Sequence, residues 1–134
     1  MNSALSVLVF ILSLCSLVFL PAYSSESITG KVVEVADGDT ITILTQNQGE
    51  LKIRLSGVDC PESFQIHGDK AKQFTSSMVA GKRVRIEPET IDQHGRTVAM
   101  VLLNGENVNE QIVANGHGWV YRKYCTAAYC NDEL

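Results

Sequence analysis

From Ile28 onward, apolar and polar residues alternate with a period of two in several short runs. In "TITIL" (40–44) Ile41 and Ile43 share one side, and in "LKIRL" (51–55) Leu51, Ile53 and Leu55 oppose Lys52 and Arg54. "KRVRIE" (82–87) repeats the pattern, with Val84 and Ile86 opposite Arg83, Arg85 and Glu87. These runs predict half-buried strands. "TVAMVLL" (97–103) is apolar on both sides, as a central strand is. With "GKVVEV" (30–35) the chain has five predicted strands. Between the third and fourth, "DKAKQFTSSMVAG" (69–81) sets Ala71, Phe74, Met78 and Val79 at helical spacing, with Asp69 placed to start a helix and Gly81 to stop it. After the fifth, "NVNEQIVANG" (107–116) predicts a second short helix, capped by Asn107 with Glu110 three residues on and ended by Asn115-Gly116. This order suits a mainly β (α+β) domain, a five-stranded OB-type Greek-key barrel with two short helices.

Residues 1–24 stand apart, because they hold no charged side chain. "ALSVLVFILSLCSLVFL" (4–20) followed by "PAYSSES" reads as a signal peptide cut near Ser25, with Ala22 and Ser24 as the small residues before the cut. Residues 25–134 then form one domain in a secreted or periplasmic protein. The alternative is an uncleaved membrane anchor at residues 4–20. Export permits a disulfide, and Cys125 and Cys130 are the candidate pair, which leaves Cys60 odd. His67, His94 and His117 show no zinc-ligand spacing. A net charge of -4 argues against a protein that coats nucleic acid through many basic contacts, so any phosphate chemistry is local.

Three turns hold the candidate chemistry: "ADGDT" (36–40), "RLSGVDCPE" (54–62) and "DQHGR" (92–96). Each has a plain reading as a turn, since Asp-Gly and Asp-x-x-Gly are common turn sequences and Pro61 ends a strand. Together they offer carboxylates at Asp39, Asp59 and Glu62 and guanidinium groups at Arg54 and Arg96, a set that phosphodiester hydrolysis needs. A hard cation such as calcium takes carboxylate and carbonyl oxygens, here Asp39, Asp59 and a backbone carbonyl. Glu62 is the candidate to accept a proton from water, and the two arginines are candidates to hold the charge that builds on phosphate oxygens. Alternation turns Arg54 away from the face of Ile53 and Leu55, free to meet a ligand. Cys60 lies between acids with no neighbouring base, so a reactive thiolate is not expected.

At these residues the sequence resembles the staphylococcal nuclease, or thermonuclease, family from about Thr29 to Tyr124. "VADGDTITI", "RLSGVDCPE", "DQHGRTVA" and "VNEQIVANGHGWV" carry the resemblance in order. It implies a calcium-dependent endonuclease that hydrolyses DNA and RNA, single strands preferred, to 3'-phosphate products. By position, Asp39, Asp59 and the Cys60 backbone carbonyl fall at the metal, Glu62 at the water-orienting base, and Arg54 and Arg96 at the phosphate. His94, Tyr121 and Tyr124 fall at substrate contacts, with His94 and Gln93 replacing a tyrosine and a lysine and Arg122 replacing an aromatic. Trp119, Tyr121 and Tyr124 are candidates to stack on bases, and for Trp119 a place in the barrel core is the stronger expectation. A monomer with no obligate protein partner is expected, and the family's third, C-terminal helix has no evident counterpart before Leu134. The alternative function is a non-catalytic OB-type domain that binds single-stranded nucleic acid or a protein partner.

Overall fold

The computed structural model describes residues 26–121. β1 (Ile28–Asp37), β2 (Thr40–Thr45) and β3 (Glu50–Leu55) form an antiparallel meander. After β4 (Val58–Asp59) and α1 (Gly68–Val79), β5 (Arg83–Ile91) pairs with the free side of β1, and β6 (Thr97–Leu103) pairs with β5. A parallel pairing of β3 with β6, Ile53 with Thr97 through Leu55 with Ala99, closes the five strands into a barrel. The short β7 (Glu106–Asn107) leads into α2 (Val108–Ala114), and β8 (Trp119–Val120) pairs with β4 outside the barrel. The mainly β barrel with two helices expected from element order is the fold that forms.

Alternation sets the core. Val32, Val35, Ile41, Ile43, Ile53, Leu55, Val84, Ile86, Ala99 and Val101 are buried from all five barrel strands. Leu51 is half-buried at the start of β3. β2 departs from strict alternation, because Thr40 and Thr42 are buried as well. A register shift between Val32 and Glu34 brings Glu34 opposite Thr42, whose hydroxyl donates to Glu34 Oε2 (3.2 Å).

The helices close the barrel through small residues. α1 buries Ala71, Thr75 and Val79 against β1, and Thr75 Oγ1 donates to the Gly38 carbonyl (2.6 Å). Its start differs from the expected one. His67, not Asp69, is the N-cap, in the left-handed conformation (φ 67) and without a side-chain cap bond. The reason is the loop before it, since a Cβ on Gly68 would overlap the Glu62 carbonyl and the chain must turn sharply there. α2 starts as expected, with Asn107 Oδ1 accepting from the Glu110 N–H (3.2 Å).

Trp119 corrects a second expectation. It is 65% exposed, because it lies on β8, whose partner is β4 and not a barrel strand. The proposed signal or anchor at 1–24, Arg122, Tyr124, the Cys125–Cys130 pair and any third helix lie outside the described residues.

Asn109 joins α2 to the barrel. It is fully buried; its Oδ1 accepts from the Val101 N–H (3.0 Å), and its Nδ2 donates to the carbonyls of Ser56 (2.9 Å) and Ala99 (3.2 Å). Truncating it leaves the Val101 N–H of β6 and the Ser56 carbonyl in the turn after β3 without this partner. Asn109→Ala is therefore expected to lower the urea unfolding free energy by about 3 kcal/mol; a loss under about 1 kcal/mol contradicts this role.

Candidate active site

The β1–β2 turn carries Asp39 and is pressed into the body of the protein. A Cβ on Gly38 would lie 2.9 Å from both Ala71 Cβ and Cys60 Sγ, so glycine is what lets this turn reach α1 and the end of β4. Asp39 is 6% exposed, and three groups answer its carboxylate. Thr40 Oγ1 donates to Oδ1 (3.0 Å), the Cys60 N–H donates to Oδ2 (2.7 Å), and Arg54 Nη2 lies 3.3 Å from Oδ2. Burying a carboxylate is unfavourable without such hydrogen-bond partners.

Arg54 projects from β3 on the side opposite Ile53 and Leu55, both fully buried. Its Nη1 donates to the carbonyls of Leu55 (2.9 Å) and Val58 (2.6 Å), which fixes the plane of the guanidinium. Its Nη2 meets Asp39 Oδ2 at 3.3 Å and Asp59 Oδ1 at 3.4 Å. Two carboxylates, one buried and one on the surface, thus converge on a single cationic nitrogen. An all-oxygen donor set of this kind fits a hard cation. Among the described residues no group of three or more His, Cys, Asp and Glu side chains meets at one point. Any ion held here therefore draws its other ligands from carbonyls and water.

Cys60 is packed, not presented. A Cβ on Gly118 would lie 2.9 Å from Cys60 Sγ, as one on Gly38 would, so the thiol fills the seam between two glycines. Burial, then the negative charge of Asp39, push the thiol up to about 12 against the pull of Arg54. It remains protonated at any physiological pH and is no nucleophile.

Glu62 opens the loop to α1 and is exposed. Its backbone is fixed on both sides: its N–H donates to Gln65 Oε1 (2.8 Å), its carbonyl accepts from the Gln65 N–H (2.8 Å), and the next N–H, of Ser63, donates to Asp37 Oδ1 (2.9 Å). Among the described residues the Glu62 carboxylate has no hydrogen-bond or ion-pair partner. A fixed backbone thus carries an uncommitted carboxylate.

Arg96 stands at the end of the β5–β6 turn, one residue before Thr97 joins Ile53 in the barrel closure. Asp92 organises this turn. Its Oδ1 accepts from the His94 and Arg96 N–H groups (both 2.9 Å), and its Oδ2 accepts from Arg96 Nε (2.7 Å). Desolvation pushes the Asp92 carboxyl up, but these bonds and the Arg96 charge outweigh it and hold the group below its ordinary range. Among the described residues Nη1 and Nη2 of Arg96 take no partner, so the paired donors stay open to a ligand. His94 is exposed on the same turn, its ring 3.4 Å from Gln93 Nε2. Tyr121 is 43% exposed, and its N–H donates to the Gly57 carbonyl (2.8 Å), just before β4.

Direct contacts therefore join Asp39, Arg54, Asp59 and the Cys60 amide. Among the described residues Glu62 and Arg96 form no hydrogen bond or ion pair with that group; Glu62 follows Cys60 by two residues, and Arg96 precedes the strand that pairs with β3. Two supporting acids escaped the sequence reading, Asp37 and Asp92. Each precedes a glycine in a short turn, which is the only signal either gives.

A sequence profile described as "Staphylococcal nuclease homologue" matches residues 52–134. A protein of Haemophilus influenzae named "Uncharacterized endonuclease" is 39% identical over 105 residues, which cover 78% of this chain and 59% of that protein. A "Micrococcal nuclease" of Shigella flexneri is 32% identical over 134 residues, covering 92% of this chain and 75% of the relative. A "Thermonuclease" of Staphylococcus hyicus is 36% identical over 96 residues, covering 66% and 56%. The chain thus spans about three-fifths of the length of the Haemophilus relative. Arg54, Asp59, Glu62 and Arg96 lie inside the matched segment, and Asp39 is tied to Arg54 and to the Cys60 amide by contact. The chain belongs to the staphylococcal nuclease family.

Proposed function

We propose that this protein is a calcium-dependent nuclease that hydrolyses phosphodiester bonds of DNA and RNA, leaving 3'-phosphate ends. The observation that carries the reading is the convergence of Asp39 and Asp59 within 3.4 Å of one nitrogen of Arg54, with the carboxylate of Glu62 and the Nη1 and Nη2 groups of Arg96 unpaired among the described residues. The names of the relatives support the same reading, as does the family. The apolar segment at residues 4–20 supports action outside the cytoplasm.

Asp39, Asp59 and the Cys60 carbonyl are the groups to hold calcium. When bound, calcium supplies a positive charge that draws electrons from a phosphate oxygen and lowers the pKa of water. Glu62 accepts the proton of the attacking water as its oxygen forms a bond to phosphorus and the bond from phosphorus to the 5'-oxygen breaks. Arg96 offers Nη1 and Nη2 as a fork to two phosphate oxygens, with Asp92 setting its plane. Arg54 contributes its charge from a position fixed by two carbonyls, so little reorganisation is needed as negative charge grows.

Glu62→Gln is expected to lower kcat on single-stranded DNA by roughly 10²- to 10⁴-fold while the protein stays folded, because the replaced carboxylate has no partner among the described residues. Chelation of calcium is expected to stop cleavage, and re-addition to restore it. Cleavage at an undiminished rate in either experiment overturns the mechanism. Iodoacetamide at pH 8, followed by peptide mass spectrometry, is expected to leave Cys60 unmodified in the native protein and to modify it on denaturation. Rapid native labelling of Cys60 contradicts the buried, protonated thiol.

A further inference from the structure

Beside the Pro61–Glu62 segment lies a cleft of about 390 Å³ that the proposed chemistry does not use. Pro61, His67 and Lys70 line one side, and His117, Gly118 and Trp119 the other. A cleft of that size suits a small planar ligand. Its chemistry is aromatic and cationic, unlike the acidic group around Asp39.

Trp119 is held in place. β8 pairs with β4 so that Trp119 stands directly opposite Asp59, and paired residues of an antiparallel ladder project to the same face. The indole is thus on the side of the strand pair that carries the Asp59 carboxylate. Gly118 fixes the strand's approach, since a Cβ there would meet Cys60 Sγ at 2.9 Å and the Asp59 carbonyl at 3.1 Å. Behind the cleft, the His117 ring stacks on Phe74, with centroids 4.3 Å apart and planes 21° from parallel. Lys70 is exposed on the first turn of α1, and the neighbouring Asp69 carboxylate turns back to accept the Lys70 N–H (2.9 Å). The ammonium stem is left to face the cleft.

We propose that this cleft is a subsite for one nucleotide of single-stranded nucleic acid flanking the scissile phosphate, with its base stacked on Trp119 and its phosphate held by Lys70. The occupant follows from charge and shape. An indole face accepts any base, a lysine beside it neutralises a phosphate, and the cleft is continuous with the segment carrying Glu62. A duplex keeps its bases stacked on one another, so only a single strand presents a base to the indole. This inference takes its choice of partner from the proposed nuclease function.

Trp119 is the sole tryptophan, so its fluorescence reports the subsite directly. The experiment titrates an octathymidylate carrying a fluorescent label into full-length Glu62→Gln protein with calcium present. Indole emission and the anisotropy of the label are read together. The expected result is saturable quenching that tracks the anisotropy, with a labelled duplex quenching far less. Trp119→Ala in the same background is expected to weaken binding roughly tenfold, and Lys70→Gln several-fold with a shallower dependence on salt. If Trp119→Ala does not fold, the parent's quenching and the Lys70→Gln affinity still decide. Binding seen by anisotropy with no change in indole emission, equal quenching by duplex, unchanged affinity in Trp119→Ala or Lys70→Gln, or no binding at all overturns the subsite. The first three of these results leave the nuclease function standing if the protein with Glu62 intact cleaves. Full quenching, together with no cleavage by the protein with Glu62 intact, overturns the nuclease function and keeps the subsite.

Discussion

The carboxylate of Asp39 is the joint on which the site depends. It is buried, and burying a carboxylate is unfavourable unless donors surround it. Here the donors come from three segments: the Thr40 hydroxyl in β2, the Arg54 guanidinium in β3 and the Cys60 amide after β4. The stabilisation of one charge thus fixes the relative positions of the β1–β2 turn, the end of β3 and the start of the segment leading to Glu62. The same charge helps keep the Cys60 thiol protonated. One group therefore assembles the acidic centre and adds to the burial that keeps the neighbouring thiol protonated.

Close approach is the second constraint, and it is set by residues without bulk. Gly38, Ala71 and Gly118 surround Cys60 Sγ or pack beside it, and no larger side chain fits at either glycine without movement. The turn that carries Asp39 and the strand that carries Trp119 both lean on this seam. Closure of the barrel by β3 and β6 adds the third constraint, since the Ile53–Thr97 pairing fixes where β6 begins beside β3 and so where the Asp92–Arg96 turn that precedes it stands. The turn's own rigidity comes from Asp92, so the barrel delivers an arginine whose orientation is already set.

Much of the barrel was legible because each strand needed only local information. Ile41, Ile43, Ile53, Leu55, Val84 and Ile86 alternate with polar residues in the sequence, and all are buried in the structure. The failures have a common physical source, since each depends on a contact that no periodic pattern reports. β4 and β8 have two residues each, too few for a period, and exist only by pairing with one another. Trp119 reads as core by its apolar character and lies exposed because of that pairing. His67 takes the N-cap of α1 because the loop from Glu62 turns sharply at Gly68, which no propensity at Asp69 foretells. The candidate site residues came from three turns, and no local pattern showed which of them meet. No spacing along the chain shows that Asp39 and Asp59 meet at one nitrogen of Arg54.

Asp39 is the structural joint and, in the proposed function, half of the acidic pair that would hold calcium; isothermal titration of calcium into the protein and into Asp39→Asn separates these roles. The substituted amide still accepts from the Cys60 N–H, so near-ultraviolet circular dichroism is expected to report a native fold. Calcium affinity is then expected to fall roughly tenfold or more, as loss of a charged ligand dictates. Calcium binding by Asp39→Asn as tight as in the parent protein, or no binding by the parent, would contradict the account.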